Sequence, residues 1–441
     1  MAAESSGKVL ESALALRAGN VLFNQWVPNA ELKKNARVLV RGDGVRVWDE
    51  KGREYLDGLS GFWCLPLGYG REDIVERMAE QLTELPFAPL DWRVHPPAVE
   101  LAERLTALAP GDVSRVFFCS GGSEGVDWAI KAARAYWSQA GRPERDIIVY
   151  RKDAYHGSTL GATSVAGSAY LRDPYGPLIG ATLETCQVDC CGCPPPAHTE
   201  ACSDVCLKRV AETLDGAGAD KIAAFIAEPV TAAGPVRVPP PGYWTKLQAM
   251  LSERGILLIL DEVTTGIGRT GKWFAAEHWD IRPDMIVLAK GLSGGYAPLG
   301  AVLLSKKIAE RLRNRVFSGY TFGGHPASCA AALATMDAMD RGFDTVSTLG
   351  RRLRTALMAA TRKIPIAGDV RGIGLLASVD IDIEPGKWSL IAKECRDRGL
   401  ICMVEDRALC LAPPFISSQK EIDRMARIAG EALKAAARDM S

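Results

Sequence analysis

Two reactive side chains, the carboxylate of Asp261 and the amine of Lys290, each follow a short apolar run. The runs cover residues 256–260 and 285–289, are rich in β-branched side chains and are almost free of charge. Such runs are typical of parallel strands that are buried on both faces of a sheet. Because ligands of these sheets bind at the carboxyl ends of the strands, we expect Asp261 and Lys290 to lie close together there.

This pair suits the chemistry of a pyridoxal phosphate enzyme. The amine of Lys290 would carry the cofactor as a Schiff base and act as the general base, and the carboxylate of Asp261 would keep the pyridine nitrogen protonated. Lys290 precedes the glycine-rich segment 291–295, where close backbone approach excludes water, and burial lowers the pKa of a lysine amine. The simpler alternatives are an aspartate that caps a turn and a solvated lysine.

The glycines Gly266, Gly268 and Gly271 spell G-x-G-x-x-G after the first apolar run, which is the pattern of a dinucleotide-binding turn. The sequence predicts no clear helix that opens at this turn. The acidic residue expected about 20 positions further on is also missing, since Asp284 comes too early. A nicotinamide-dependent oxidoreductase is therefore the less favoured alternative.

Further segments carry polar residues to the same predicted sheet edge. Segment 120–124, SGGSE, joins a predicted strand to a helix, so its backbone N–H groups and the helix dipole could bind an anion. Tyr155 precedes His156 and Gly157 after the next strand, and Glu228 ends another. Each of these could equally be a helix cap, a packing residue or a structural histidine.

Three segments resemble the class III, or omega, aminotransferases, a family of fold type I pyridoxal phosphate enzymes that includes amine and beta-alanine:pyruvate aminotransferases. The segments are DEVTTGIGRTGKWFAAEHW at 261–279, AKGLSGGYAPLGAV at 289–302 and YTFGGHP at 320–326. The resemblance covers about residues 40–414. It implies an α/β fold with a mostly parallel central sheet in a large domain and a small α+β domain built from both chain ends.

The resemblance also implies roles in cofactor binding. Gly122 and Ser123 would bind the cofactor phosphate. Tyr155 and Val263 would cover the two faces of the pyridine ring, and Glu228 would lie near the cofactor or the substrate.

For the substrate, the resemblance places Trp63 and Tyr155 in the wall of the pocket, although Trp63 could equally belong to the core. Many relatives carry an arginine in the strand before the APP segment, and Met403 stands at that position here. Arg407 either replaces this arginine or is only a surface charge. Thr321 would reach the phosphate site of a neighbouring subunit, which implies a homodimer with shared active sites.

Composition restricts the partners of the chain. The 441 residues suffice for two or three lobes, and the 53 acidic and 53 basic residues balance, which favours small molecules over nucleic acid or membrane surfaces. No signal segment or run of 18 apolar residues is found, so we expect a soluble cytoplasmic enzyme. We divide the chain into a small domain, residues 1–65 and 336–441, and a large domain, residues 66–335.

Six of the twelve cysteines lie in segment 186–206. A C-x2-C pair and a C-x3-C pair could together bind one metal, for which a 4Fe-4S cluster is slightly favoured over zinc, in a structural role. Thiols without function and redox-active pairs are the alternatives. The predicted ligands are Cys190, Cys193, Cys202 and Cys206, with Cys186 and Cys191 left over.

The Asp261–Lys290 pair and the resemblance to class III aminotransferases together predict an aminotransferase. It would move an amino group from a primary amine or omega-amino acid to a keto acid, pyruvate or 2-oxoglutarate, with ping-pong kinetics. The nearest alternative is a pyridoxal phosphate-dependent aminomutase or decarboxylase, because all of these enzymes share the Asp–Lys pair.

Overall fold

The computed structural model describes residues 13–26, 36–189, 199–340, 342–384, 386–405 and 407–439. The strands within these residues are, in chain order, β1 Leu39–Asp43, β2 Arg46–Asp49, β3 Glu54–Asp57, β4 Val113–Cys119, β5 Ile147–Arg151, β6 Thr182–Thr185, β7 Ile222–Ala227, β8 Leu257–Asp261, β9 Met285–Leu288, β10 Gly300–Ser305, β11 Ala367–Ile373, β12 Leu376–Ile381, β13 Leu400–Ile401, β14 Met403–Glu405 and β15 Ala408–Leu411.

The helices alternate with the strands through the middle of the chain. They are α1 Ala13–Val21, α2 Ser60–Trp63, α3 Glu72–Glu84, α4 Pro96–Leu108, α5 Gly122–Gln139, α6 Leu160–Ser164, α7 Ala169–Arg172, α8 Glu200–Ala217, α9 Tyr243–Glu253, α10 Lys306–Leu312, α11 Pro326–Met339, α12 Asp344–Thr361, α13 Trp388–Asp397 and α14 Gln419–Asp439. No helix within the described residues is long and apolar enough to span a bilayer.

The central sheet has the strand order β4-β10-β9-β8-β7-β5-β6 in the part of the chain that the structure describes. Strand β10 runs antiparallel to both of its neighbours, and the remaining pairs are parallel. The prediction of a mostly parallel α/β sheet is therefore confirmed. Because helices cover both faces, every residue of β7, β8 and β9 is buried.

Alternate residues of these strands pack into two different clusters, as the two-residue period of a strand requires. Leu258 belongs to the apolar cluster that includes buried side chains of α8 and α9, and its neighbour Ile259 belongs to the cluster that includes those of α5. The parallel pairing of β8 with β9 places the residues that follow both strands at the same edge of the sheet.

The two ends of the chain meet in one small sheet of order β1-β2-β3-β13. Leu400 of β13 pairs with Leu56 of β3 in a parallel register. A second sheet, β11-β12-β15-β14, is formed by residues after 366. The small α+β part of the fold is thus built from both chain ends, as the resemblance implied.

Candidate active site

The carboxyl ends of β8 and β9 bring Asp261 and Lys290 into one cavity of about 390 Å³. The two strands are neighbours, with Asp261 opposite Val287, three residues before the lysine. Lys290 has a φ of +46°, a left-handed conformation that costs a non-glycine residue about 1–3 kcal/mol. Strained backbone conformations of this kind cluster at active sites. Here the left-handed conformation sets the direction in which the Lys290 side chain leaves the backbone.

The amine of Lys290 is held by two contacts. Its Nζ donates a hydrogen bond of 2.8 Å to Oγ1 of Thr264 and lies 4.7 Å from the ring centroid of Trp63. Burial lowers the pKa of Lys290, although the negative charge of Asp261 opposes this effect. The neutral, nucleophilic amine is therefore present at lower pH than in an ordinary lysine.

The carboxylate of Asp261 is buried and held in place on both of its oxygens. Oδ1 accepts the backbone N–H of Val263 at 3.0 Å, and Oδ2 lies 2.7 Å from Nδ1 of His156. The sequence alone does not distinguish His156 from a structural histidine, whereas in the structure it directly contacts the predicted catalytic carboxylate. Thr264 was missed, and its place three residues after Asp261 is the only sequence signal that could have found it.

Segment 120–123, which leads into α5, forms another part of the cavity wall. Helix α5 begins at Gly122 after Gly121, and no side chain caps its first turn. The N–H groups of that turn can therefore bind an anion such as a phosphate. A Cβ atom on Gly122 would lie 2.9 Å from Cγ2 of Val263, so a larger residue would close this part of the cavity.

Tyr155, Val263 and Glu228 also line this cavity. Oε2 of Glu228 accepts the N–H of Ala232 at 3.0 Å, and burial raises the pKa of Glu228. The cavity thus offers uncapped N–H groups in one part of its wall, a fixed carboxylate, an amine and a tyrosine. These residues fit pyridoxal phosphate, an anionic heterocycle that binds covalently to an amine.

A model of the family described as Aminotransferase class-III matches residues 28–433. The chain belongs to the class III aminotransferases. It is therefore a fold type I enzyme that depends on pyridoxal phosphate, and its family favours transamination over the nicotinamide-dependent alternative.

Three relatives show how similar this class III aminotransferase is to other proteins in sequence and in structure. It is 32% identical to the putrescine–pyruvate aminotransferase of Pseudomonas aeruginosa, over 91% of each chain. It is 35% identical to a probable gamma-aminobutyrate transaminase of Oryza sativa subsp. japonica, over 90% of this chain and 84% of the relative. The solved (S)-enantioselective omega-transaminase of Thermomicrobium roseum is 36% identical, with a TM-score of 0.92 over 96% and 98% of the two chains.

A second cavity of about 180 Å³ adjoins the first in this aminotransferase, and Lys290, Tyr155 and Thr264 line both. Aromatic rings form one of its walls. The ring centroids of Phe62 and Trp63 are 4.9 Å apart, and those of Trp26 and Tyr155 are 6.2 Å apart. Trp63 also packs in an apolar cluster with Leu59 and Val236, so it belongs both to the pocket and to the core.

The structure does not bring Arg407 to either cavity. Its side chain is exposed and pairs with Asp382 at 2.7 Å, and its φ of +63° places it in the turn between β14 and β15. The interpretation of Arg407 as a surface charge therefore fits the structure, and its assignment as a substrate ligand does not. Met403 does line the second cavity, together with Glu405.

Thr321 lies in an exposed turn and lines neither cavity of this chain. That position leaves it available to another subunit and gives it no contact with Lys290 here.

Two of the predicted metal ligands, Cys190 and Cys193, lie outside the described residues. The other two, Cys202 and Cys206, lie on α8, where Cys206 is buried in the core and its thiol donates to the carbonyl of Val188. Among the described residues, no three His, Cys, Asp or Glu side chains are grouped to hold a metal. The structure therefore gives the iron–sulfur or zinc prediction no support.

Proposed function

We propose that this enzyme transfers an amino group from a primary amine or an omega-amino acid to a keto acid, pyruvate or 2-oxoglutarate. One observation carries the proposal: Lys290 stands where the cavity that suits pyridoxal phosphate meets the smaller aromatic cavity. An amine that enters the aromatic cavity therefore meets the lysine. The names of the Pseudomonas and rice relatives support amines and omega-amino acids as donors.

Gly122 and Ser123 would bind the cofactor phosphate with backbone N–H groups, and Tyr155 and Val263 would cover the two faces of the ring. Glu228 lies beside the same cavity. When bound, pyridoxal phosphate supplies an electron-accepting ring that stabilises negative charge on the donor carbon.

Two residues act on protons. Lys290 Nζ, made less basic by burial, would act as the base that takes the proton from the donor carbon and holds it for return as an acid. The carboxylate of Asp261, held by Val263 and His156, would favour a proton on the ring nitrogen of a bound cofactor. Trp63 and Tyr155 exclude water from the space above the amine.

We further propose a cytoplasmic homodimer with shared active sites and domain boundaries near residues 65 and 335. The exposed position of Thr321 beside the exposed side chain of Phe322 supports a subunit contact there. A metal on segment 186–206 stays a prediction. Metal analysis of anaerobically purified protein would test this prediction, and the absence of both iron and zinc would refute it.

The experiment that tests the function is a screen of amine donors against pyruvate and 2-oxoglutarate. The absorbance band of the lysine-bound cofactor should disappear when a donor is added to the purified enzyme. Addition of a keto acid should restore this band. Turnover of a donor without any keto acid would instead support an aminomutase, and release of carbon dioxide would support a decarboxylase.

A further inference from the structure

The aromatic cavity next to Lys290 has an acidic wall. Of the residues that the structure describes, the charged ones that line it are Asp153, Glu405 and Lys290 itself. The other lining residues are aromatic, apolar or neutral. No arginine among the described residues lines this cavity or its larger neighbour. Among its described lining residues, the donor site thus carries two carboxylates and no cation other than the reacting amine.

Glu405 is placed at the cavity by the pleat of strand β14. Met403 and Glu405 are two residues apart, so their side chains lie on the same face of the strand, and both line the cavity. Glu405 is half-buried, and the hydroxyl of Tyr170 donates to its Oε1. Among the described residues, no Lys, Arg or His lies within ion-pair distance of Glu405, which leaves its charge without a cation.

Asp153 belongs to a charged cluster behind the same wall. Arg237 lies 3.5 Å from Asp153 and 3.0 Å from Asp189, and Arg371 pairs with Asp189 at 3.3 Å and with Asp380 at 2.6 Å. Two guanidinium groups therefore face three carboxylates, which leaves this cluster with one negative charge in excess. Together with Glu405, the wall presents a negative potential to the cavity.

We propose that the preferred donor is a linear diamine, whose second, protonated amino group binds this acidic wall while the first reacts at Lys290. The inference deepens the proposed function and rests on it. A charge-assisted hydrogen bond from an ammonium to the carboxylate of Glu405 would orient the alkyl chain along the aromatic rings. The methylene groups of the chain would replace water against Phe62 and Trp63.

The same wall disfavours an omega-amino acid. Its carboxylate would face Glu405 and Asp153 in a partly buried space where, among the described lining residues, no arginine offsets the repulsion. A monoamine of equal length would be accepted, but it would bring no ammonium group to the carboxylate of Glu405, whose described partner is the hydroxyl of Tyr170. The expected order of donors is therefore diamine, monoamine, omega-amino acid.

Three donors of equal chain length test this order in the holoenzyme: 1,5-diaminopentane, 1-aminopentane and 5-aminopentanoate. We expect kcat/KM for the diamine to exceed that for the monoamine by about tenfold or more, mostly through a lower KM. Because the preference is electrostatic, added salt should reduce the advantage of the diamine. Equal values for the diamine and the monoamine, or a preference for 5-aminopentanoate, would overturn the proposal.

Variants test whether the acidic wall, and no other feature of the site, causes the preference for the diamine. Glu405→Gln should lower the diamine-to-monoamine ratio of kcat/KM by about tenfold, and Met403→Arg should move the preference toward 5-aminopentanoate. Glu144→Gln, at an exposed carboxylate that pairs with Arg142, is the matched control and should leave the ratio unchanged. An unchanged ratio in Glu405→Gln contradicts the proposal. Failure of all three donors to alter the cofactor band would instead refute the proposed function.

Discussion

His156 and Asp261, 105 residues apart in the chain, meet through a contact of 2.7 Å between Nδ1 and Oδ2. Both side chains are buried, so water cannot readily replace either partner, and loss of the contact would cost free energy. The contact fixes the carboxylate whose other oxygen is bonded to the backbone of Val263. His156 is therefore a positioning residue that acts through Asp261.

Replacing His156 with leucine should lower kcat/KM by about ten- to a hundredfold, since a buried carboxylate loses a charge-assisted partner. The absorbance band of the bound cofactor should change its pH dependence at the same time, which a purely structural role would not cause. His156→Gln, which can still donate an N–H, should recover part of both effects. A normal pH profile in His156→Leu would contradict this role.

Replacing Lys290 with alanine should reduce turnover by about a thousandfold or more, because the base and the covalent anchor are lost together. The band of the lysine-bound cofactor should disappear. Lys272→Ala, at an exposed lysine outside the cavity, serves as the control and should keep both activity and spectrum. Normal turnover in Lys290→Ala would show that the base is a different residue.

The lowered pKa of Lys290 predicts selective chemistry in the cofactor-free protein. A lysine whose pKa is lowered by burial loses its proton at lower pH, so its amine becomes nucleophilic there. Half-maximal acylation of Lys290 should therefore occur at lower pH than acylation of the exposed Lys272. Mass spectrometry across a pH series measures both in one sample. Prior addition of pyridoxal phosphate should protect Lys290 alone.

Trp63 is 5% exposed and lies between the core and the aromatic cavity. Trp63→Ala should therefore widen the donor range toward bulkier amines and also destabilise the fold by about 3–5 kcal/mol. Trp63→Phe should keep most of the stability and show a smaller change in donor range. Thermal unfolding together with a donor panel measures both effects. An unaltered donor profile would assign Trp63 to the core alone.

An exposed apolar area at residues 316–322 predicts the subunit contact. Val316 is 98% exposed and Phe322 is 60% exposed, with the ring of Phe322 lying 5.7 Å from that of Phe87. Phe322→Glu should convert a dimer into monomers of low activity, because a charge would be buried at the contact. Light scattering after gel filtration measures the mass. Leu390→Glu, at an exposed position on α13, should leave the mass unchanged.

Two strands of the central sheet and the reactive residues that follow them could be predicted from local sequence. The apolar runs before Asp261 and Lys290 are long enough and uncharged enough to be read as buried strands, and the structure places β8 and β9 within one residue of them. These features are local, since hydrophobic period and residue type depend on neighbours in the chain. The glycine-rich entry to α5 could be predicted for the same reason.

The contacts between side chains that are distant in the chain could not be predicted in this way, because they depend on how the strands and turns are arranged in space. Residues 403, 405 and 407 are close in sequence, yet the pleat of β14 turns Met403 and Glu405 into the cavity, and the left-handed turn sends Arg407 to Asp382. His156 likewise reaches Asp261 only because β5 and β8 end at the same edge of the sheet. Side-chain direction depends on strand register and on turn geometry, and contacts across the sheet depend on strand order, none of which is a property of a single segment.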